Sequence, residues 1–266
     1  MRKKHKPIEP IVNAEQWKHN VLVGIPSLGQ VRMEWHLAFV NIVVPMNWSS
    51  CQTIQPVPCL GVLNYHVAEA QNLIVQQFLS DGKWEWLLLL EDDVVVPPDV
   101  FLKFKPWIDK GTHPVVSGLY RLKASPAEPM VFRGRGNGVY KNWKMGQTVE
   151  VDGVPTGCVL INRKLLEVCS AHAPEISLTR IAPDGSTHEM KCREIFRTIR
   201  DAGIDPESGG YYRRIGTSDL EWCDQVMNNG YLKEAGFGHL ARKKYPFIID
   251  TKINCGHIDR STGVVF

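Results

Sequence analysis

The sequence lacks several features that would point to particular classes of protein. Its seven cysteines are scattered, and no two of them form a C-x-x-C pair. This spacing indicates neither a zinc site nor a disulfide framework, and it favours buried free thiols in a reducing compartment. The longest apolar runs are far shorter than the roughly 20 residues that span a bilayer, and no apolar segment follows the basic N-terminus. We therefore expect a soluble, cytoplasmic protein with no signal peptide and no transmembrane segment.

Net charge is also low. The chain of 266 residues carries a formal charge of +3, which gives no electrostatic argument for a nucleic-acid partner. The basic clusters at 2–6 and 242–244 are expected to be solvated surface. The composition, 44% hydrophobic and 22% charged, is that of a globular protein with a substantial core.

Short apolar runs alternate with helical patterns through the first half of the chain. Strands are predicted at 21–25, near 57–63, and at 86–90, 114–120, 154–161 and 247–250. Helices are predicted at 31–43, 67–79, 99–108, from 163 to 169 and at 219–229. This alternation favours an α/β fold with a doubly wound, mostly parallel central sheet flanked by helices, and a mixed C-terminal half in the same domain.

Four segments lack a strong hydrophobic pattern of the kind that predicts helices or strands. Residues 1–19 are polar and are predicted to form an arm, and 45–61 form a loop-rich connection. Residues 123–150 are rich in glycine and charge, which favours hairpins or loops. The span 173–216 has low apolar content and is predicted to be a long, partly mobile excursion over a site.

Three consecutive acidic residues, Glu91, Asp92 and Asp93, follow the apolar run 86–90. That run is apolar at every position, as expected of a central strand covered on both faces. Neighbouring carboxylates repel one another, and a bound cation relieves the repulsion. Open α/β sheets bind ligands at the carboxyl ends of their strands, so these acids predict a cation or ligand site. The alternative is a solvated acidic turn.

Other polar residues follow strands or open helices later in the chain. Ser218 and Asp219 open the helix predicted at 219–229, and His257 follows the last strand. A carboxylate such as Asp219 can accept the proton of an attacking hydroxyl, but a first-turn acid also caps a helix and suits its dipole. An isolated histidine is more often structural than a metal ligand.

Taken together and in this order, these motifs resemble those of nucleotide-sugar glycosyltransferases of the GT-A fold, family 2-like, over roughly residues 20–260. The resemblance implies a Rossmann-like GT-A domain at 20–266, with a nucleotide-binding half at 20–122 and an acceptor-binding half at 123–266. The acidic triplet would be the D-x-D motif, here Glu91-x-Asp93. In that family the last acid, Asp93, binds a divalent cation on the donor diphosphate, while Glu91 and Asp92 face the ribose or a metal-bound water.

The resemblance also implies roles for the later residues. Ser218-Asp219 matches the family's E-D pair with serine at the first position, which makes Asp219 the general base and leaves Glu221 as a weaker rival. His257 would complete the metal shell with Asp93 and Glu91. An imidazole beside carboxylates suits Mn²⁺ better than Ca²⁺, with Mg²⁺ as the alternative.

Further residues are implied to contact the donor or the sugar. Pro26 and Ser27 resemble the family's nucleotide-base pocket. Gln71 and Asn72 resemble an A-R-N pattern that lines the same pocket, with glutamine in place of arginine; a plain helix surface is the alternative. Gly157 is expected on the substrate side. An aromatic residue such as Trp222 either stacks on a sugar or belongs to the core.

The sequence thus predicts a metal-dependent, hexosyltransferase-like enzyme that moves a sugar from a nucleoside-diphosphate sugar to a hydroxyl acceptor. A nucleotidyltransferase acting on sugar phosphates is a second hypothesis, but it requires a basic phosphate loop, and residues 24–29 carry no basic side chain. A non-catalytic carbohydrate-binding relative is a third. It would be expected to have lost the acids and histidine that this chain retains: Asp93, Asp219 and His257.

Overall fold

The computed structural model describes residues 21–44, 59–134, 139–181, 186–204 and 206–266. The predicted arm at 1–19 and most of the loop-rich connection at 45–61 lie outside these ranges. The strands are β1 Val21–Ser27, β2 Cys59–Leu63, β3 Trp86–Leu90, β4 Val94–Val95, β5 Val115–Leu119, β6 Thr148–Val151, β7 Cys158–Asn162, β8 Glu175–Ile181, β9 Thr187–Arg193, β10 Ile199–Ile204, β11 Tyr211–Gly216, β12 Phe247–Asn254 and β13 Gly256–His257. The helices are α1 Met33–Val40, α2 Val67–Ser80, α3 Val100–Lys110, α4 Arg163–His172, α5 Ser218–Asn228 and α6 Tyr231–Glu234.

Seven strands form one central sheet in the order β2-β1-β3-β7-β5-β12-β6. Strands β2, β1, β3, β5 and β12 run in one direction, and β7 and β6 run against it. The predicted α/β class with a mostly parallel, Rossmann-like sheet is confirmed. The sequence did not reveal the two reversed strands. Strand β7 is buried, and a buried strand has the same apolar composition in either direction. Strand β6 is short and half exposed, and it begins in the segment predicted to form hairpins or loops.

Side chains of β3 supply both faces of the core. Leu87 and Leu89 point to the cluster that includes residues of α2, α4 and α5. Trp86, Leu88 and Leu90 point to the cluster that includes residues of α1 and α3. Because helices cover both faces, every position of this strand is buried, which explains its uninterrupted apolar sequence.

The packing of β1 against α2 depends on a glycine. A Cβ atom at Gly24 would lie 2.3 Å from Cγ2 of Ile74, a fully buried residue of α2. The helix can lie this close to the strand only because position 24 has no side chain.

The described part of 173–216, predicted to be a long excursion over a site, contains four strands that the sequence did not predict. Strands β8 and β9 form one antiparallel hairpin, and β10 and β11 form another. In the first hairpin, Ile176, Leu178 and Cys192 contact the small cluster around Tyr65 and Ala70, while the alternate positions are polar. This half-polar alternation lowers the apolar content and makes the segment resemble a loop.

Two smaller expectations are also resolved. The five cysteines at positions 158, 169, 192, 223 and 255 are free and buried, as predicted. Among the helices that the structure describes, none combines the length and apolar character needed to cross a bilayer.

Candidate active site

The ends of β1 and β3 bring the first two predicted motifs together. The strands are parallel neighbours, so their carboxyl ends meet at one edge of the sheet. Ser27, which follows the buried Pro26, donates a hydrogen bond from Oγ to Oδ2 of Asp92 at 2.5 Å. The N–H of Gly29 donates to Ser27 Oγ at 3.0 Å. The acidic triplet and the end of β1 at Pro26 and Ser27 are therefore in direct contact, with Asp92 and Ser27 both buried.

The last strand places His257 beside Asp93. Strand β13 pairs with β4, and the N–H of Ile258 donates to the carbonyl of Asp93 at 2.8 Å. Nε2 of His257 lies 3.8 Å from Oδ1 of Asp93. Nδ1 lies 2.7 Å from the carbonyl oxygen of Arg121, and since a carbonyl only accepts, Nδ1 is the protonated nitrogen. Burial lowers the pKa of His257, against the opposing effects of the Arg121 carbonyl and of Asp93, which favours the neutral ring with its lone pair on Nε2.

Asp93 and His257 fit a divalent cation. Oδ1 of Asp93 is buried and has no hydrogen-bond partner, and it lies on the side of the carboxylate that approaches Nε2. Histidine ligands of metals usually donate their other ring N–H to a backbone carbonyl, as His257 does. Among the described residues, no three His, Cys, Asp or Glu side chains are arranged to hold an ion, so the predicted set of Glu91, Asp93 and His257 is not preassembled. A site with few protein ligands suits Mg²⁺ or Mn²⁺, which take remaining ligands from water and phosphate.

Two basic side chains that the sequence did not single out reach the same acids. Nζ of Lys123 lies 2.5 Å from Oδ2 of Asp93, and Nε of Arg260 lies 3.5 Å from that oxygen. Nη2 of Arg260 donates to Oδ1 of Asp92. A positional signal existed for both residues: Lys123 follows the end of parallel strand β5, and Arg260 lies three residues after His257.

Glu91 is the most perturbed acid of the site. Its pKa is raised to about 7, chiefly by burial and then by the charges of Asp93 and Asp219, while Thr156 and Lys123 oppose the rise. The charges of both Asp93 and Asp219 therefore act on the ionisation of Glu91.

A chain of polar side chains connects Glu91 to helix α5. Oγ1 of Thr156 donates to Oε1 of Glu91 at 3.4 Å and accepts from Nε2 of Gln71 at 2.9 Å. Oγ of Ser218 donates to Oε1 of Gln71 at 3.5 Å. Gln71 is fully buried, so it does not lie on an open helix surface. Its amide group positions Thr156 and Ser218. Thr156 has no motif of its own and was missed.

Gly157 allows the chain to approach Glu91 and Tyr120 closely. Its carbonyl accepts from the N–H of Glu91 at 3.0 Å, and its N–H donates to Oη of Tyr120 at 2.8 Å. A Cβ atom at position 157 would lie 2.6 Å from the Tyr120 ring. Burial raises the pKa of Tyr120 well above its usual value, so its hydroxyl stays neutral beside the carboxylates.

Asp219 lies in the first turn of α5, partly buried, and its Oδ1 accepts from the N–H of Leu220 at 2.9 Å. Burial raises its pKa, although hydrogen bonds from Thr217 and from the backbone oppose the rise. Glu221, the rival for the role of base, is paired with Nη2 of Arg197 at 2.9 Å. Asp219 is therefore the better placed of the two acids to accept a proton.

Two predicted site residues have structural roles. Trp222 is 1% exposed and packs between Phe196 and Phe247 in the core, so it cannot stack on a bound sugar. Asn72 hydrogen bonds to the backbone of Ile195 and Phe196, and it borders a cavity of about 520 Å³ on the side of α2 that faces Arg197. Neither side chain faces the acidic residues, so we leave both out of the candidate site.

The fold has relatives among solved structures. A197 from STIV superimposes with a TM-score of 0.53 and is 18% identical, over 90% of this chain and 86% of that one. This likeness shows a shared fold. TarS from S. aureus, solved in complex with UDP-GlcNAc, gives a TM-score of 0.37 at 12% identity, over 58% of this chain and 48% of that one. A TM-score of this size does not establish a common fold. No protein-family model matches the chain, and no curated protein matches its sequence.

Proposed function

We propose that this protein is a glycosyltransferase that moves a sugar from a nucleoside-diphosphate donor to a hydroxyl acceptor. The observation that carries the proposal is the metal-type pair of Asp93 and His257, together with the partly buried Asp219, whose neighbour Ser218 is connected to Glu91 through Gln71 and Thr156. Transfer of this kind needs both parts: charge compensation at a departing diphosphate and a base for the incoming hydroxyl.

In this proposal Asp93 and His257 hold Mn²⁺ or Mg²⁺, with Glu91 alongside. When bound, the cation would offset the negative charge that develops on the departing diphosphate. Ser27 and Pro26 would face the nucleoside, since they form the neighbouring surface at the same sheet edge. Gly157 would face the sugar, and its hydrogen bond with the backbone of Glu91 supports this assignment.

Asp219 acts as the general base. It takes the proton of the acceptor hydroxyl while the oxygen forms a bond to the anomeric carbon of the sugar. The bond from that carbon to the diphosphate breaks at the same centre, and its electron pair leaves with the diphosphate. The raised pKa makes Asp219 a stronger base than an exposed aspartate, which favours this proton transfer. The Gln71–Thr156 chain fixes α5 and Glu91 relative to each other.

The test is the release of nucleoside diphosphate from a panel of nucleotide sugars, with Mn²⁺ and with chelator. We expect one donor to be turned over only with the metal, and Asp93→Ala to abolish turnover. Asp99→Ala is the matched control, since Asp99 pairs with Lys103 on the half-exposed start of α3. If no donor is turned over and none binds in a metal-dependent manner, the proposal is wrong. Formation of a nucleotide sugar from a sugar phosphate and a nucleoside triphosphate would support a nucleotidyltransferase.

A further inference from the structure

The acids at the end of β3 are covered on their solvent side by basic side chains. Lys123 contacts Asp93 at 2.5 Å, and Arg260 contacts both Asp92 and Asp93. The side chains of Lys123 and Arg260 are 30% and 35% exposed, whereas those of Asp92 and Asp93 are 0% and 12% exposed. A ligand that reaches these carboxylates from solvent therefore comes close to Lys123 and Arg260.

This small network is balanced in charge. Asp92 and Asp93 contribute two negative charges, and Lys123 and Arg260 contribute two positive ones. A divalent cation bound at Asp93 would leave the network with two excess positive charges in a partly buried place, which is unfavourable. The diphosphate group of a nucleotide sugar carries one negative charge on each phosphate, and it would restore the balance.

We propose that Lys123 and Arg260 are exchangeable counter-ions, which hold the two carboxylates until a divalent cation binds and then bind the donor diphosphate. The inference rests on the proposed function, from which it takes the diphosphate-linked donor. The side chains of Lys123 and Arg260 suit both states, the one paired with carboxylates and the one paired with phosphates. The flexible stem of Lys123 lets its ammonium group swing from Asp93 to a nearby phosphate, and the planar fork of Arg260 matches either a carboxylate or a phosphate.

The exchange predicts opposite effects of one substitution on two ligands. Without Lys123, the positive charge beside Oδ2 no longer opposes a cation at the same carboxylate, so Lys123→Met should bind Mn²⁺ more tightly, on the order of tenfold. The same variant has lost a phosphate-binding group, so it should bind a metal–diphosphate complex more weakly, again on the order of tenfold. A lysine with a purely structural role would weaken both affinities or change neither.

The experiment is calorimetric titration of wild type, Lys123→Met and Lys141→Met with Mn²⁺ alone and with preformed Mn²⁺–pyrophosphate in excess Mn²⁺. Lys141 is the matched control because it pairs with Glu128 at 2.8 Å and is 70% exposed. Lys123→Arg keeps the positive charge and should retain the pyrophosphate complex. Thermal unfolding checks that each variant is folded.

The inference is supported if only Lys123→Met shows the two opposite shifts. Unchanged or weaker Mn²⁺ binding in that variant overturns it, as does unchanged binding of the pyrophosphate complex or no saturable binding of that complex to wild type. Neither titration requires sugar transfer. Opposite shifts without turnover of any donor would reject only the proposed function, and turnover without opposite shifts would reject only the counter-ion exchange.

Discussion

His257 presents Nε2 to Oδ1 of Asp93 at 3.8 Å, on the side of that carboxylate that has no hydrogen-bond partner. The ring is held in this orientation by the bond from Nδ1 to the carbonyl of Arg121. Since the two residues are far apart in the sequence, their approach depends on the pairing of β13 with β4. This relationship leads directly to the first prediction.

Replacing His257 with alanine should weaken Mn²⁺ binding by at least about tenfold, because it removes one of the two protein ligands of the proposed site. Isothermal titration of the variant against wild type measures the change. His172→Ala is the control: His172 is about half exposed and pairs with Glu234 away from the acidic residues. Equal Mn²⁺ affinity in the His257 variant would place the cation elsewhere.

Glu91 should make stability depend on pH. Its folded-state pKa of about 7 lies above its usual value of 4.5, so the folded protein holds this proton more tightly than the unfolded chain. The free energy of unfolding should therefore fall as pH rises from about 4.5 to 7, by at most about 3 kcal/mol from this group. Glu91→Gln cannot ionise and should lack this part of the pH dependence.

Urea unfolding of wild type and Glu91→Gln across pH 5 to 8, in the presence of chelator, isolates the effect of this one carboxyl. The glutamine variant should gain stability relative to wild type as pH rises through this window. Parallel stability profiles would mean that Glu91 is ionised throughout, and its assigned environment would be wrong.

The residues that could be predicted from sequence are those with a strong local signal. The apolar run before Glu91 identifies a buried strand, and the position of Ser27 after another strand places it at the same edge of a parallel sheet. Lys123 and Arg260 have only a positional signal, after β5 and after His257, and it is weak because a single basic residue in a loop is usually solvated. Their contact with the acids follows from tertiary structure alone.

The misassigned residues show the same limit. Trp222 and Asn72 lie on helices of mixed polar and apolar composition. On such a helix the sequence alone does not show whether a given side chain faces the core or a ligand site. In the structure Trp222 packs against Phe196 and Phe247, and Asn72 faces the segment around Ile195. Contacts with residues distant in sequence determine these roles: the 195–196 backbone for Asn72, and Phe196 and Phe247 for Trp222.

Asp219→Asn should lower the turnover number by a factor of about 10²–10⁴ while leaving donor affinity nearly unchanged, because an amide cannot accept the hydroxyl proton. Burial already disfavours the charged form of Asp219, so the neutral amide should not destabilise the fold. Asp224→Asn, on the same helix and hydrogen bonded to Asn228, is the matched control. A variant with near-normal turnover would assign the proton transfer to another group.

Asn72→Ala should loosen the segment at 195–196 while the strand-end acids stay in place. Oδ1 of Asn72 accepts from the N–H groups of Ile195 and Phe196, and its Nδ2 donates to the carbonyl of Phe196. Alanine leaves these buried backbone groups without that partner, at a cost of roughly 1–3 kcal/mol for each group left unsatisfied. Amide exchange at Ile195 and Phe196 should accelerate by about 100-fold, since each 1.4 kcal/mol is tenfold.

Residue-resolved hydrogen exchange measures this opening, with Gln76→Ala on the exposed face of the same helix as control. Mn²⁺ affinity should be the same in Asn72→Ala as in wild type, because Asn72 has no contact with Asp93 or His257. A loss of Mn²⁺ binding together with unchanged exchange at 195–196 would contradict the structural role of Asn72. It would support the sequence-based assignment of Asn72 to the ligand site. Faster exchange with intact Mn²⁺ binding would show that Asn72 anchors the segment between the hairpins of 173–216 and takes no part in binding the cation.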